Sequence, residues 1–370
     1  MAVVTRELSA PPGRMTARLV RHELLAAVVV VAAIAGATAL LLLAGGYPVG
    51  RGLAALWSGS FGSWYAFTSA TLVRTVPLLL TGTAVALAFR AGVLNIGAEG
   101  QLLVGAAAAA AMALALGAGV GAPVRLTLAL LAAAMGGAIW AGVAALLRTR
   151  YGVLEVISTI MLNFVALHLV SYLVRGPLQE PTRVYPQSVS IADALHLPRI
   201  PGAGRLHIGL FLALGVAGAA GWALRHTAAG FRLMATGESP GAAASAGGID
   251  VRSTTVLAFL ATGALAGLGG GVEVLGVTFA LYENISPGYG YTAIAVALLA
   301  RLDPWRVIAT AVLFGALEAG AGAMQRDAGV PSTLVSVIEA ALILAVVTAQ
   351  ANRSRQHVSD GAGEVRPVRA

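Results

Sequence analysis

The chain has 370 residues, 58% apolar and 11% charged, with a net charge of +8 and a mean hydropathy of +0.83. Soluble domains carry about a quarter charged residues, so this is the composition of a polytopic membrane protein, and +8 suits basic cytoplasmic edges without calling for nucleic acid. The absence of cysteine excludes disulfides and thiolate metal sites, and the absence of lysine (all 24 basic residues are arginine) excludes a lysine-bearing phosphate loop. If the protein runs on ATP, another chain binds it.

Residues 1–23 carry Arg6, Arg14, Arg18 and Arg21 ahead of an apolar run at 24–44. That run is too long for a signal-peptide core and no cleavage site follows it, so it reads as an uncleaved first span with a cytoplasmic amino terminus. Further spans are expected at 65–89, 101–120, 123–147, 153–174, 207–224, 254–279, 285–300, 306–324 and 331–349. The expected fold is therefore all-α with about ten membrane helices. Eight or nine are alternatives, because 284–290 is loop-like and the run after it is short enough to be a half-helix that enters and turns. Ten crossings divide the chain into a cytoplasmic tail (1–23), a transmembrane domain (24–350) and a second cytoplasmic tail (351–370). They leave outside only Arg51, Arg125, Arg175, Arg183, Arg199, Arg205 and Arg326, with Arg74 inside a span, as a positive-inside bias requires. The external loop 175–206 holds Pro177, Pro181, Pro186, Pro198 and Pro201, which argue against a long helix. It is either a docking surface for an outside partner or a plain connector.

The stretch 89–105 packs glycines together with Asn95, Glu99 and Gln101 beside apolar spans. Glycine lets a backbone leave helical geometry, and broken helices are tolerated in membranes where they line a cavity or are buried in protein. In the span at 153–174, Glu155, Thr159 and Asn163 recur every four residues and share a face, with Ser158 beside them. That face lines a pathway or pairs with another helix. Glu273, Glu318 and Glu339 are single acids in other spans, each with a helix–helix hydrogen bond or a cargo contact as its role. Runs of small residues at 106–111, 136–137 and 267–271 allow close helix packing. The polar stretch 225–252 reads as a short surface helix with loose flanks, starting at Ser239-Pro240 and stopping at Gly247-Gly248.

The segment Gly92-Val93-Leu94-Asn95-Ile96-Gly97-Ala98-Glu99-Gly100-Gln101 resembles the signature of the permease family that serves ATP-binding-cassette importers of branched-chain amino acids, simple sugars and nucleosides. Its form is most similar to the nucleoside and simple-sugar branch. Stretches 156–163, 288–300 and 331–347 agree, and the likeness covers 65–350. The pattern of Gly230, Gly237, Glu238, Ser239, Pro240, Ala242, Ala243, Gly247 and Ile249, with Arg232 among them, resembles the family's coupling loop. The resemblance implies a non-enzymatic, multi-pass subunit of the cytoplasmic membrane with no cofactor of its own. It implies a second permease copy or a related permease, an extracytoplasmic binding protein, and a separate ATPase that binds ATP and grips 225–252. Asn95, Glu99, Gln101, Glu155, Ser158, Thr159, Asn163, Asn284 and Tyr289 are the expected pathway residues. A base could stack on Tyr289 or Phe164.

An internal echo accompanies this reading. Asn95-Ile96-Gly97 recurs as Asn284-Ile285-Ser286, and Gly152-Val153 as Gly329-Val330. On ten spans each pair lies on opposite membrane faces, as an inverted repeat gives. A secondary transporter with Glu99, Glu155 or Glu273 relaying protons is the other reading. An intramembrane zinc enzyme is poorly supported, since Ala26 stands where a second histidine would follow His22-Glu23.

Overall fold

The computed structural model describes residues 32, 35–117, 119–331, 334, 337, 340 and 341. Both charged tails, Glu339, the first part of the expected span at 24–44 and most of that at 331–349 lie outside them. The described elements are α1 (Ala35–Ala44), α2 (Val49–Ser60), α3 (Ala66–Arg90), α4 (Ala98–Ala115), α5 (Ala122–Tyr151), α6 (Glu155–Arg175), α7 (Gly209–His226), α8 (Ala228–Glu238), α9 (Pro240–Ser245), α10 (Val251–Thr278), α11 (Tyr289–Leu299) and α12 (Pro304–Ala328). The first seven residues of α3 and the last five of α10 are π-helical.

Local chemistry sets the boundaries. Pro123 sits in the first turn of α5, and Gly152 ends that helix in the left-handed conformation at φ 67°, which costs glycine nothing. Asp250 and Asp303 cap α10 and α12 by accepting from Ser253 N and Trp305 N. The Ser253 hydroxyl, then its N–H, hold the Asp250 carboxyl below its ordinary range.

Six described helices, α3 to α6, α10 and α12, are long and apolar enough to cross a membrane. α7 has 18 residues and closes on Arg225 and His226. The run expected at 285–300 forms α11, only 11 residues. At 1.5 Å per residue it reaches about 17 Å, short of the roughly 30 Å hydrocarbon layer. The expected count of ten therefore needs amendment at this position, because α11 does not cross by itself. α2 has no counterpart among the expected spans.

α10 is the centre of the packing. Its stripe Gly263, Gly267, Gly270 and Gly271 recurs at three- and four-residue spacing. A Cβ at Gly267 would collide with Ala133 O of α5, and one at Gly270 with Leu102 O of α4. Gly105 of α4 and Gly137 of α5 meet the same stripe. Backbones can approach this closely only without side chains, and dispersion contacts then replace the hydrophobic drive that lipid cannot supply. α3 is 78% buried over its apolar window, but α5 and α6 only 28% each. Leu128, Leu131, Met135, Ile139 and Leu146 form an exposed apolar stripe on α5, and Ile157, Met161, Phe164 and Val165 extend it on α6. Such a face belongs against lipid or another chain's helices.

Segment 176–208 carries no long helix among the described residues, as its prolines require. It is not loose. Ser188 N, Ile191 N and Leu197 N donate to Leu281 O, Phe279 O and Leu275 O at 2.8–2.9 Å, and Ile191, Leu195 and Leu197 are buried. It covers the end of α10. Gly267→Leu is expected to prevent α4, α5 and α10 from closing. The variant should run as aggregate in detergent size-exclusion chromatography, while Gly215→Ala, in open space on α7, should run as wild type.

Candidate functional site

The stretch from Ala91 to Gly97 leaves helical geometry between α3 and α4, so its amides and carbonyls need partners from elsewhere. The expected polar residues supply them. Asn163 of α6 accepts from Gly100 N at 2.8 Å and donates to Ile96 O at 2.9 Å. Thr159, one turn earlier, accepts from Ile96 N at 3.3 Å. Asn95 folds back to accept from Gly97 N at 2.9 Å and from Gln101 Nε2 at 3.0 Å, and its own amide donates to Gln101 Oε1 and to Thr262 of α10. Asn95, Gln101, Thr159, Asn163 and Thr262 are all at most 2% exposed. The structure thus brings four of the expected pathway residues into one closed network, which holds a broken helix in place. Thr262 was not singled out from sequence, because a lone threonine in a Gly-rich span carries no signal.

The others divide. Glu155 shares the Thr159 spacing but sits at the start of α6, where it forms an ion pair with Arg148 across the α5–α6 turn at 3.2 Å. Ser158 donates only to Glu155 O of its own helix. Asn284 is exposed in the segment before α11. Glu99 accepts from Gly290 N at 2.7 Å. Gly290 is needed there, since a Cβ would strike the Glu99 backbone. The amino termini of α4 and α11 therefore meet with one carboxylate between them, where both helix dipoles favour negative charge. Tyr289, the neighbouring residue, is 5% exposed and turns to a cavity with Arg74, Glu273 and Glu318. Phe164 is exposed on α6. Sequence reading gave Arg74 no partner, although it was the one arginine expected inside a span. Charges there need compensation, so pairing it with Glu318 (3.9 Å) was open to inference.

The 225–252 stretch forms two helices, not one. Ser239 accepts from Ala242 N and Pro240 takes the first turn of α9, as expected, but α8 precedes it, capped by Thr227 accepting from Gly230 N. Gly237-Glu238-Ser239-Pro240-Gly241 has the Gly-x-Ser-x-Gly spacing of a nucleophile elbow. Here Ser239 is an exposed helix cap between two helices, with no strand before it. Gly230 and Gly237 allow close approach. A Cβ on Gly230 would meet Ala223 O, and one on Gly237 would meet Arg90 O and Gly92 N. Arg90 in turn donates to Leu302 O and Arg301 O at the end of α11. Arg225 joins Asp303 at 2.7 Å. The ends of α3, α7, α8, α11 and α12 are so joined at one face, from which Phe231, Arg232, Glu238, Ser239 and Ala242 project exposed. Ala243 is buried, Ile249 partly so, and Gly247 lies exposed beyond α9.

Comparison with known proteins identifies the family. The family model for the permease component of branched-chain amino acid transport systems matches residues 67–347. The guanosine ABC transporter permease NupP of Bacillus subtilis is 38% identical over 321 residues, 86% of this chain and 91% of that protein. The glucose ABC transporter permease TsgB13 of Haloferax volcanii is 38% identical over 289 residues, 75% of each chain. The nucleoside ABC transporter permease NupB of Lactococcus lactis is 30% identical over 315 residues, 82% of this chain and 85% of that one. No solved structure matches.

Replacing Asn163 with Leu leaves two buried backbone groups without partners, at on the order of 3 kcal/mol. We expect a clearly lowered midpoint in thermal unfolding of the detergent-solubilised protein. Ser158→Ala, which removes only a bond within its own helix, should leave the midpoint within error of wild type.

Proposed function

This chain belongs to the permease family of branched-chain amino acid-type ABC importers, and we propose that its cargo is a nucleoside or simple sugar moved by a separate ATPase gripping α8 and α9. The guanosine, nucleoside and glucose transporters among its relatives support that cargo class. Membership of the family makes it a multi-pass membrane subunit. In the proposed assembly the α8–α9 face and both tails are cytoplasmic. A second permease chain, identical or related, covers the exposed apolar stripe of α5 and α6, and an extracytoplasmic binding protein delivers cargo.

One observation carries the coupling role. Gly237 at the end of α8 is seated on Arg90, the last residue of α3, and on Gly92 in the non-helical segment that leads to Glu99. A push on α8 is therefore delivered to the backbone of that segment, with no flexible linker between. The echoed segments at Asn95 and Asn284, expected on opposite membrane faces, instead lead into helices that touch. Each precedes a helix, and those helices, α4 and α11, meet by their amino termini at Glu99 and Gly290. Broken helices meeting this way surround the substrate path in several transporter folds.

The test uses a surface residue, because a side chain at Gly237 would disturb the chain itself. Phe231, 63% exposed on α8, is the natural aromatic contact for a groove on the ATPase. In cells holding the complete transporter, Phe231→Asp should lower uptake at least about tenfold, the loss expected for a desolvated aromatic contact. Chain abundance in the membrane should not change. Uptake equal to wild type would remove α8 from the coupling role, and uptake abolished by an uncoupler at constant ATP would favour an ion-coupled mechanism.

A further inference from the structure

At the end of α3 and α10 opposite to α8 and α9, a cavity of about 260 Å³ opens beside the turn before α7. Its polar wall is Ser69, Arg74, Arg205, Glu273, Tyr289 and Glu318. Arg74 is engaged, with Glu318 at 3.9 Å and Ala70 O at 3.3 Å. Glu273 differs. It is 5% exposed, and among the described residues its Oε2 has no hydrogen-bond partner. A buried carboxylate oxygen without a donor is costly, and a ligand that enters the cavity can supply the donor. The backbone here is irregular on both sides. Ser69 lies in the π-helical start of α3 and Val277 in the π-helical end of α10, a departure frequent at functional sites. Tyr289 adds a buried aromatic face one residue from Gly290, whose N–H holds Glu99. Tyr289 thus lies on the cavity wall and one residue from the point where α4 and α11 meet.

Resting on the reading of this chain as a nucleoside or sugar permease, we propose that this cavity is a substrate subsite where Glu273 accepts two adjacent donors of a neutral cargo. Two arginines and two glutamates balance across the wall, so a charged cargo would leave one of them uncompensated. The volume lies just under the range of drug-sized pockets, which suits a monosaccharide or nucleoside and excludes a lipid or dinucleotide. Two sources share the donor chemistry. One is a vicinal diol of a sugar ring. The other is the paired N–H edge of a guanine base. Either can lie against the Tyr289 ring.

The experiment measures initial uptake of labelled guanosine and glucose in cells carrying the complete transporter, wild type and Glu273→Gln. Loss of hydrogen bonds to a charged group predicts a KM raised about ten- to a hundredfold. Membrane abundance should stay at the wild-type level, and Glu273→Asp should recover part of the affinity. Competition of wild type and variant by 2′,3′-dideoxyguanosine and by inosine separates the sources. The analogue that is weak against wild type, and no weaker against the variant, lacks the donors that Glu273 binds. An unchanged KM in Glu273→Gln, or a fall in Vmax alone, overturns the subsite while leaving the permease reading intact. A wild-type transporter that imports neither nucleosides nor sugars overturns the cargo assignment and the subsite with it.

Discussion

A backbone that leaves helical geometry inside a membrane must have its amides and carbonyls bound by protein, since lipid offers them nothing. The segment between α3 and α4 meets that demand through two amide side chains and a threonine. Asn163 serves Gly100 and Ile96, Thr159 serves Ile96, and Asn95 closes on Gly97 and Gln101. The rest of the layout depends on this. With the segment fixed, α4 begins where its first turn can place Glu99 on Gly290 of α11. With α11 fixed, Tyr289 faces the opposite cavity, and Arg90 can bind the carbonyls at its far end.

Two faces of the molecule are linked by that chain of contacts. At one end, Gly237 of α8 rests on Arg90 and Gly92, and at the other, Glu273 and Arg74 line a charge-balanced cavity. Arg74 and Arg90 are sixteen residues apart on α3, about 24 Å. No flexible linker lies between them, because both sit on one continuous helix. A permease needs this property, since work done on one side has to alter a binding path on the other.

Much of this was legible in the sequence. The polar types at 95–101, the four-residue spacing of Thr159 and Asn163, and the Ser239-Pro240 helix start all reported real structure. Their partners did not show, because a bond between Asn163 and Ile96 spans 67 residues and no local spacing encodes it. Glu155 fell on the Thr159 face by spacing, yet a basic residue across a tight turn captured it. α8 was missed because Gly230 and Gly237 weaken helix propensity. The same glycines are required for the helix to lie against α7 and α3, so packing overrides propensity there. α2 is 12 residues long, with Gly50, Gly52 and Arg51 in its first turns, and so lacks the signal of a span.

The central claim is that α8 and α9 are where a separate ATPase takes hold of this chain. The absence of native cysteine makes a direct test simple, since one introduced thiol is the only one present. Phe231→Cys and Ser239→Cys, with Ser63→Cys between α2 and α3 as the opposite-end control, would be treated in native membranes with a short thiol–amine cross-linker. The account predicts an adduct between this chain and a lysine-bearing P-loop ATPase from positions 231 and 239, and none from position 63. An ATPase adduct from position 63, or no ATPase adduct from either coupling position, would contradict it.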